Sequence, residues 1–144
     1  MFDEIVQETD LLQIVKWIFE MTDASDEVTE MKSSACFICV NMAMASETSI
    51  NMLIEPKYGV LSHVQRALEA NNTSPDHFSN LLWLIANLAA ENFIICLNVL
   101  NSTNVLEILA DLTDPNMQTQ FHNKIVEILP WMIQNILLYR DYSE

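Results

Sequence analysis

The apolar positions of the chain fall into a short helical stripe that occurs three times, each time just after a turn-prone residue. Counted from Asp10, Gly59 and Asn104, offsets 1, 2, 5 and 8 are apolar in all three segments. They are Leu11, Leu12, Val15 and Ile18; Val60, Leu61, Val64 and Ala67; and Val105, Leu106, Leu109 and Leu112. That spacing marks one face of a helix. Gly, Asn and Asp best tolerate left-handed backbone angles, so a sharp bend between helices is expected at each junction. Gly59 is the only glycine in the chain.

A helix-start signal and a longer apolar helix follow each stripe. Ser74-Pro75 and Asp114-Pro115 pair an N-cap residue with proline at the first helical position, and Ser25-Asp26-Glu27 is a weaker version. The long helices contain Phe37…Asn41, Trp83…Asn87 and Trp131…Asn135, all aromatic-x-x-x-Asn. The interval from turn residue to aromatic is 27, 24 and 27 positions. A recurring unit of roughly 45–49 residues sits in or just above the range of armadillo and HEAT repeats. The pattern predicts an all-α fold, a right-handed armadillo/HEAT-type α-solenoid of about three repeats. The units lie near 1–46, 47–91 and 92–139, each with three helices. Together they form one domain over 1–139, and 140–144 reads as a short acidic tail.

Angular positions separate the core from a second face. Successive residues turn by about 100° around a helix, which places each Asn about 40° from its aromatic. Apolar residues shared by the three long helices stand at offsets −2, +1, +2 and +5 from the aromatic. They are Ala35, Ile38, Cys39 and Met42; Leu81, Leu84, Ile85 and Leu88; and Leu129, Met132, Ile133 and Ile136. Their directions centre near about 150°, well away from the aromatic and Asn. Phe37, Asn41, Trp83, Asn87, Trp131 and Asn135 are therefore expected on a face that the core does not claim. An Asn carboxamide offers the donor and acceptor that an extended peptide backbone needs. The aliphatic stem of a Lys or Arg is expected to lie between successive Trp rings.

Composition adds a charge to this picture. Asp and Glu number 20 and Lys and Arg 6, for a net charge of −14. Such a surface attracts basic ligands and repels phosphate backbones and anionic membranes, so neither nucleic acid nor membrane is an expected partner. The acidity also serves solubility. The stretch from His77 to Leu106 carries one formal charge, Glu91, and superficially resembles a membrane span. Its six Asn residues would be costly in hydrocarbon, so a buried helix pair is expected instead. Met1-Phe2-Asp3-Glu4 lacks the basic start of a presequence.

Other chemistry is poorly represented. Cys36, Cys39 and Cys96 make no disulfide framework and fit a reducing compartment. Cys36 and Cys39 fall mid-helix among apolar neighbours and are expected in the core. His63, His77 and His122 are scattered over different helices, with no metal-ligand spacing. A single glycine excludes a Gly-rich phosphate loop. Neither a metal, a cofactor nor an enzymatic activity is expected.

The Gly59-Val60-Leu61 turn, the stretch Leu82-Trp83-Leu84-Ile85-Ala86-Asn87-Leu88-Ala89 and the Trp131…Asn135 pair resemble the armadillo repeats of importin-α (karyopherin-α). In that family a Trp and an Asn one turn apart on the third helix line the concave face and hold an extended basic peptide, a nuclear localisation signal. The resemblance implies that Trp83 with Asn87 and Trp131 with Asn135 are such pairs, with Phe37 and Asn41 a diverged one. It implies a protein or basic-peptide partner, a part in nuclear import, and a place in the cytoplasm or nucleus. The sequence departs from the family at Phe37, which replaces a Trp, and at Pro130, which is expected to kink the last long helix. A second reading is a degenerate armadillo scaffold, a subunit of a larger assembly. Its apolar repeat ends would engage a further protein or another copy.

Overall fold

The computed structural model describes residues 10–70, 73–112 and 122–138. These residues are helical with no strand, and form eight α-helices: α1 (Leu11–Glu20), α2 (Asp26–Ala45), α3 (Glu47–Leu53), α4 (Val60–Glu69), α5 (Pro75–Glu91), α6 (Phe93–Ser102), α7 (Val105–Leu112) and α8 (His122–Leu138). A 3₁₀ turn, Pro56–Tyr58, links α3 to α4. The expected first helix of the first unit and the acidic tail fall outside the described residues, as does Asp114-Pro115.

Local sequence explains where the helices start. Ser25 Oγ accepts from the Val28 amide, Ser46 Oγ from Ser49, Ser74 Oγ from His77, and Asn92 Oδ1 from Ile95. Each such cap contributes about 1 kcal/mol by satisfying an amide that the helix leaves unbonded. Pro75, in the first turn of α5, sits where its missing N–H has no cost. Ser46 and Asn92 act as single-residue breaks, ending one helix and capping the next in extended backbone.

Gly59 takes the expected left-handed conformation, with φ 66°. Asp10 and Asn104 do not share it. Asp10 has φ −77°, and no non-glycine residue described has positive φ. Asn104 is instead tied to α4: its amide donates to Gln65 Oε1 and its Nδ2 to Glu69 Oε1. A side-chain clamp replaces the left-handed bend there. Pro130 lies inside α8, and the helix continues through it to Leu138. Packing on α5 accompanies this continuity, although proline removes one backbone bond.

The long helices form the frame. α5 packs against α2 on one side and α8 on the other, with α6 also against it, while α4 contacts α5, α6 and α7. Ala35, Cys39, Met42, Leu81, Leu84, Ile85, Leu88 and Met132 are buried, as the angular reading predicts. Cys36 is buried as well, and all three cysteines are free thiols. Ile38 and Leu129 are half-buried.

Ile133 departs from the predicted core. It is 39% exposed, whereas its equivalents Cys39 and Ile85 are fully buried. The same holds for Leu137, 55% exposed, against buried Ala43 and Ala89, and for Leu106, 53% exposed, against buried Leu12 and Leu61. Positions covered within the first two segments are thus open in the last one. No helix among the described residues is long and apolar enough to cross a membrane.

Candidate functional site

The packing of α2, α5 and α8 brings one aromatic from each helix to a shared groove. Phe37, Trp83 and Trp131 line it with Val40, Met44, Asn80 and Asn87, around a volume of about 450 Å³. No ionisable residue lines it. Phe37 and Met44 are exposed, and both Trp rings are half-buried. An exposed aromatic and an exposed Met beside two indoles form an apolar patch of the kind that marks interaction surfaces.

The two indoles touch one another. Their ring centroids lie 5.1 Å apart with planes tilted by 48°. A Lys or Arg stem between facing rings needs about 7 Å, twice a van der Waals contact of about 3.5 Å. The expected slot between successive Trp rings is therefore closed. The rest of the groove is lined by Phe37, Val40 and Met44 of α2 and by Asn80, Trp83 and Asn87 of α5.

The asparagines have separate fates. Asn87 lines the groove, half-buried. Asn41 is exposed, and its Nδ2 donates to the Phe37 carbonyl one turn back on its own helix at 3.1 Å. Asn135 does not join the groove. It is buried, and its Nδ2 donates to the Ala86 carbonyl of α5 at 3.3 Å. Ala86 carries too small a side chain to shield its carbonyl, and α8 lies close enough for a carboxamide to reach it. Asn80, which periodicity did not single out, lines the groove and donates through Nδ2 to the Ser33 carbonyl and hydroxyl of α2. One Asn thus bonds α5 to α2 and another bonds α8 to α5.

A second cluster was not visible in the residue spacing. His63 on α4 and His77 on α5 meet, with Nε2 atoms 3.0 Å apart, and the Phe19 ring of α1 stacks on His63 at 3.8 Å and 4°. His63 occupies the apolar stripe between Val60 and Val64, and His77 lies three residues after the Ser74 cap. Both flank the same helix connection, which is the signal that could have paired them. Burial pushes His63 down to about 3 and His77 to about 4, with His77 and Lys32 adding to the effect on His63 and Lys32 to that on His77. One ring must donate to the other. His77 Nδ1 is buried without a partner, and which ring donates follows from the tautomers of the pair.

Burial pushes the Cys39 thiol up to about 12 and Cys36 well above its usual value, so neither is a ready nucleophile. Among the described residues no group of three or more His, Cys, Asp or Glu is placed to hold a metal. Neither a protein-family model nor a curated protein sequence matches the chain.

Proposed function

We propose that the chain is an armadillo-type helical-repeat segment, similar to the repeats of importin-α, that works as a protein-interaction module. Its units run near 1–46, 47–91 and 92–139, and its work is binding, with no catalysis. The observation that carries this reading is the groove, to which three successive long helices each contribute an aromatic. An extended segment of a basic partner, such as a nuclear localisation signal, would lie across it. The net charge of −14 draws that segment in. The uncharged groove then seats an apolar side chain or the aliphatic stem of a Lys between Phe37 and Trp83. Asn87 supplies bonds to the partner's backbone. A place in the cytoplasm or nucleus, and a lack of nucleic-acid or membrane binding, belong to the same proposal.

Titration of Lys/Arg-rich peptides into the wild-type chain and Trp83→Ala tests it. Loss of a central aromatic anchor should weaken binding by at least about tenfold. Equal affinity for both chains would remove the groove from the account.

A second reading is favoured by Leu106, Ile133 and Leu137, exposed where their equivalents are buried. This end would stack against a further helical unit, from another protein or a second copy, as each unit in such arrays leans on its neighbours. Replacing the three with Gln should lower the solution mass if a second copy covers them. An unchanged monomer would remove self-association.

A further inference from the structure

The aromatic groove and the helix ends around it differ in charge. No carboxylate stands in the described lining, although the chain carries 20 Asp and Glu. α5 and α8 run side by side in one direction, because Trp83 touches Trp131 and Asn135, one turn further on, reaches Ala86. Their acids can therefore be placed on a common axis. Glu91 follows Asn87 by one turn on α5, and Glu127 precedes Trp131 by one turn on α8; both are exposed. Glu127 stands at the level of Ser79. At a rise of about 1.5 Å per residue, the two acidic residues lie about 18 Å apart along the helices. One stands beyond each end of the stretch from Asn80 to Asn87 that lines the groove.

A Lys anchor fits the middle of this arrangement poorly. The slot between the indoles is closed at 5.1 Å. The polar side chains of the described lining are Asn80 and Asn87, and Asn80 Nδ2 is already turned to Ser33. An ammonium drawn into the groove would lose its hydration without meeting a carboxylate, and one kept in water pulls its stem away from the rings. A cation–π contact with an open ring is also weaker than the full burial of a Leu or Phe side chain. Phe37, 55% exposed, and Met44, 68% exposed, offer wet apolar surface for such burial, and Met44 can adapt to the shape of its guest.

We infer that the groove takes an apolar anchor, a Leu, Met or Phe, from a partner segment whose flanking residues are Lys or Arg. The anchor seats against Phe37, Met44 and Trp83, and the flanking cations meet Glu91 and Glu127 at the two ends. A run of Lys alone satisfies the ends and leaves the middle unfilled. This selectivity rests on the groove being the binding face.

Calorimetric titration of the full chain with short peptides that share Lys/Arg flanks and differ in a central Leu or a central Lys tests it. The Leu peptide should bind about tenfold or more tighter than the Lys peptide. Phe37→Ala removes an exposed ring, so it should leave the helical circular dichroism unchanged while shrinking that preference towards unity. The Glu91→Gln, Glu127→Gln double variant should narrow the gap between Leu peptides with Lys/Arg flanks and those with Ser flanks. Equal or tighter binding of the Lys peptide would overturn the inference, and so would a Leu preference that survives Phe37→Ala in full. If the Lys peptide binds tighter and still needs Trp83, the groove stands as the binding face and only the apolar anchor falls. If no peptide responds to Trp83→Ala, both fall together.

Discussion

On α5, Asn87 is half-buried beside the aromatic groove, whereas on α8 the equivalent Asn135 is buried and donates to the Ala86 carbonyl. The two helices carry the same Trp-x-x-x-Asn sequence. They differ in what stands next to them. α5 has a long helix on each side, α2 and α8. α8 packs on α5 alone among the long helices described. Ile85 is fully buried in that sandwich and Ile133 is 39% exposed at its end. A helix face is set by its sequence, but its solvent is set by its neighbours.

The largest expected effect comes from the matched pair Ile85 and Ile133. Ile85→Ala removes atoms packed on all sides and should cost about 2–5 kcal/mol in urea unfolding. Ile133→Ala should cost less than about 1 kcal/mol, because its site is already wet. Similar losses at both positions would mean that the end of α8 is covered as completely as α5.

Acid probes the interior next. His63 and His77 have folded values of about 3 and about 4, below their unfolded value of 6.5. Between those limits the unfolded chain binds more protons than the folded one. Stability is therefore full above about pH 6.5 and falls as pH drops towards 4, by about 2–4 kcal/mol at pH 5. Urea midpoints at pH 7 and pH 5 measure this. His77→Leu should flatten the dependence, and an unchanged slope in that variant would place the acid sensitivity elsewhere.

The asparagines give a smaller contrast. Asn135→Ala frees the buried Ala86 carbonyl and should cost about 1–2 kcal/mol. Asn87→Ala should change stability by less than about 0.5 kcal/mol and act on peptide binding instead. Thermal melts of the two variants compare them directly.

Much of the frame was legible in the sequence. The caps at Ser25 and Ser74, the left-handed Gly59 and the long helices around Phe37, Trp83 and Trp131 all follow from local chemistry. The buried positions of α5 follow from its 3.6-residue period. What periodicity did not carry is contact between elements. The Trp83–Trp131 touch, the Asn135–Ala86 bond and the Asn80–Ser33 bond each depend on how closely two helices approach. The His63–His77 pair depends on how α4 packs against α5. Asp10 and Asn104 show a different limit: tolerance of left-handed angles does not require their use, and Asn104 found side-chain partners on α4 instead.

The chain contains Trp17, Trp83 and Trp131 and no other tryptophan, and Trp17 is 63% exposed on α1, outside the groove lining. This allows a direct measurement of the central claim, that the groove of α2, α5 and α8 is the binding face. The indole N–H signals of the three residues would be followed by NMR as a Lys/Arg-rich peptide is added. The Trp83 and Trp131 signals are expected to move together and saturate while Trp17 stays in place. Movement of Trp17 alone, or of none of the three, would contradict it.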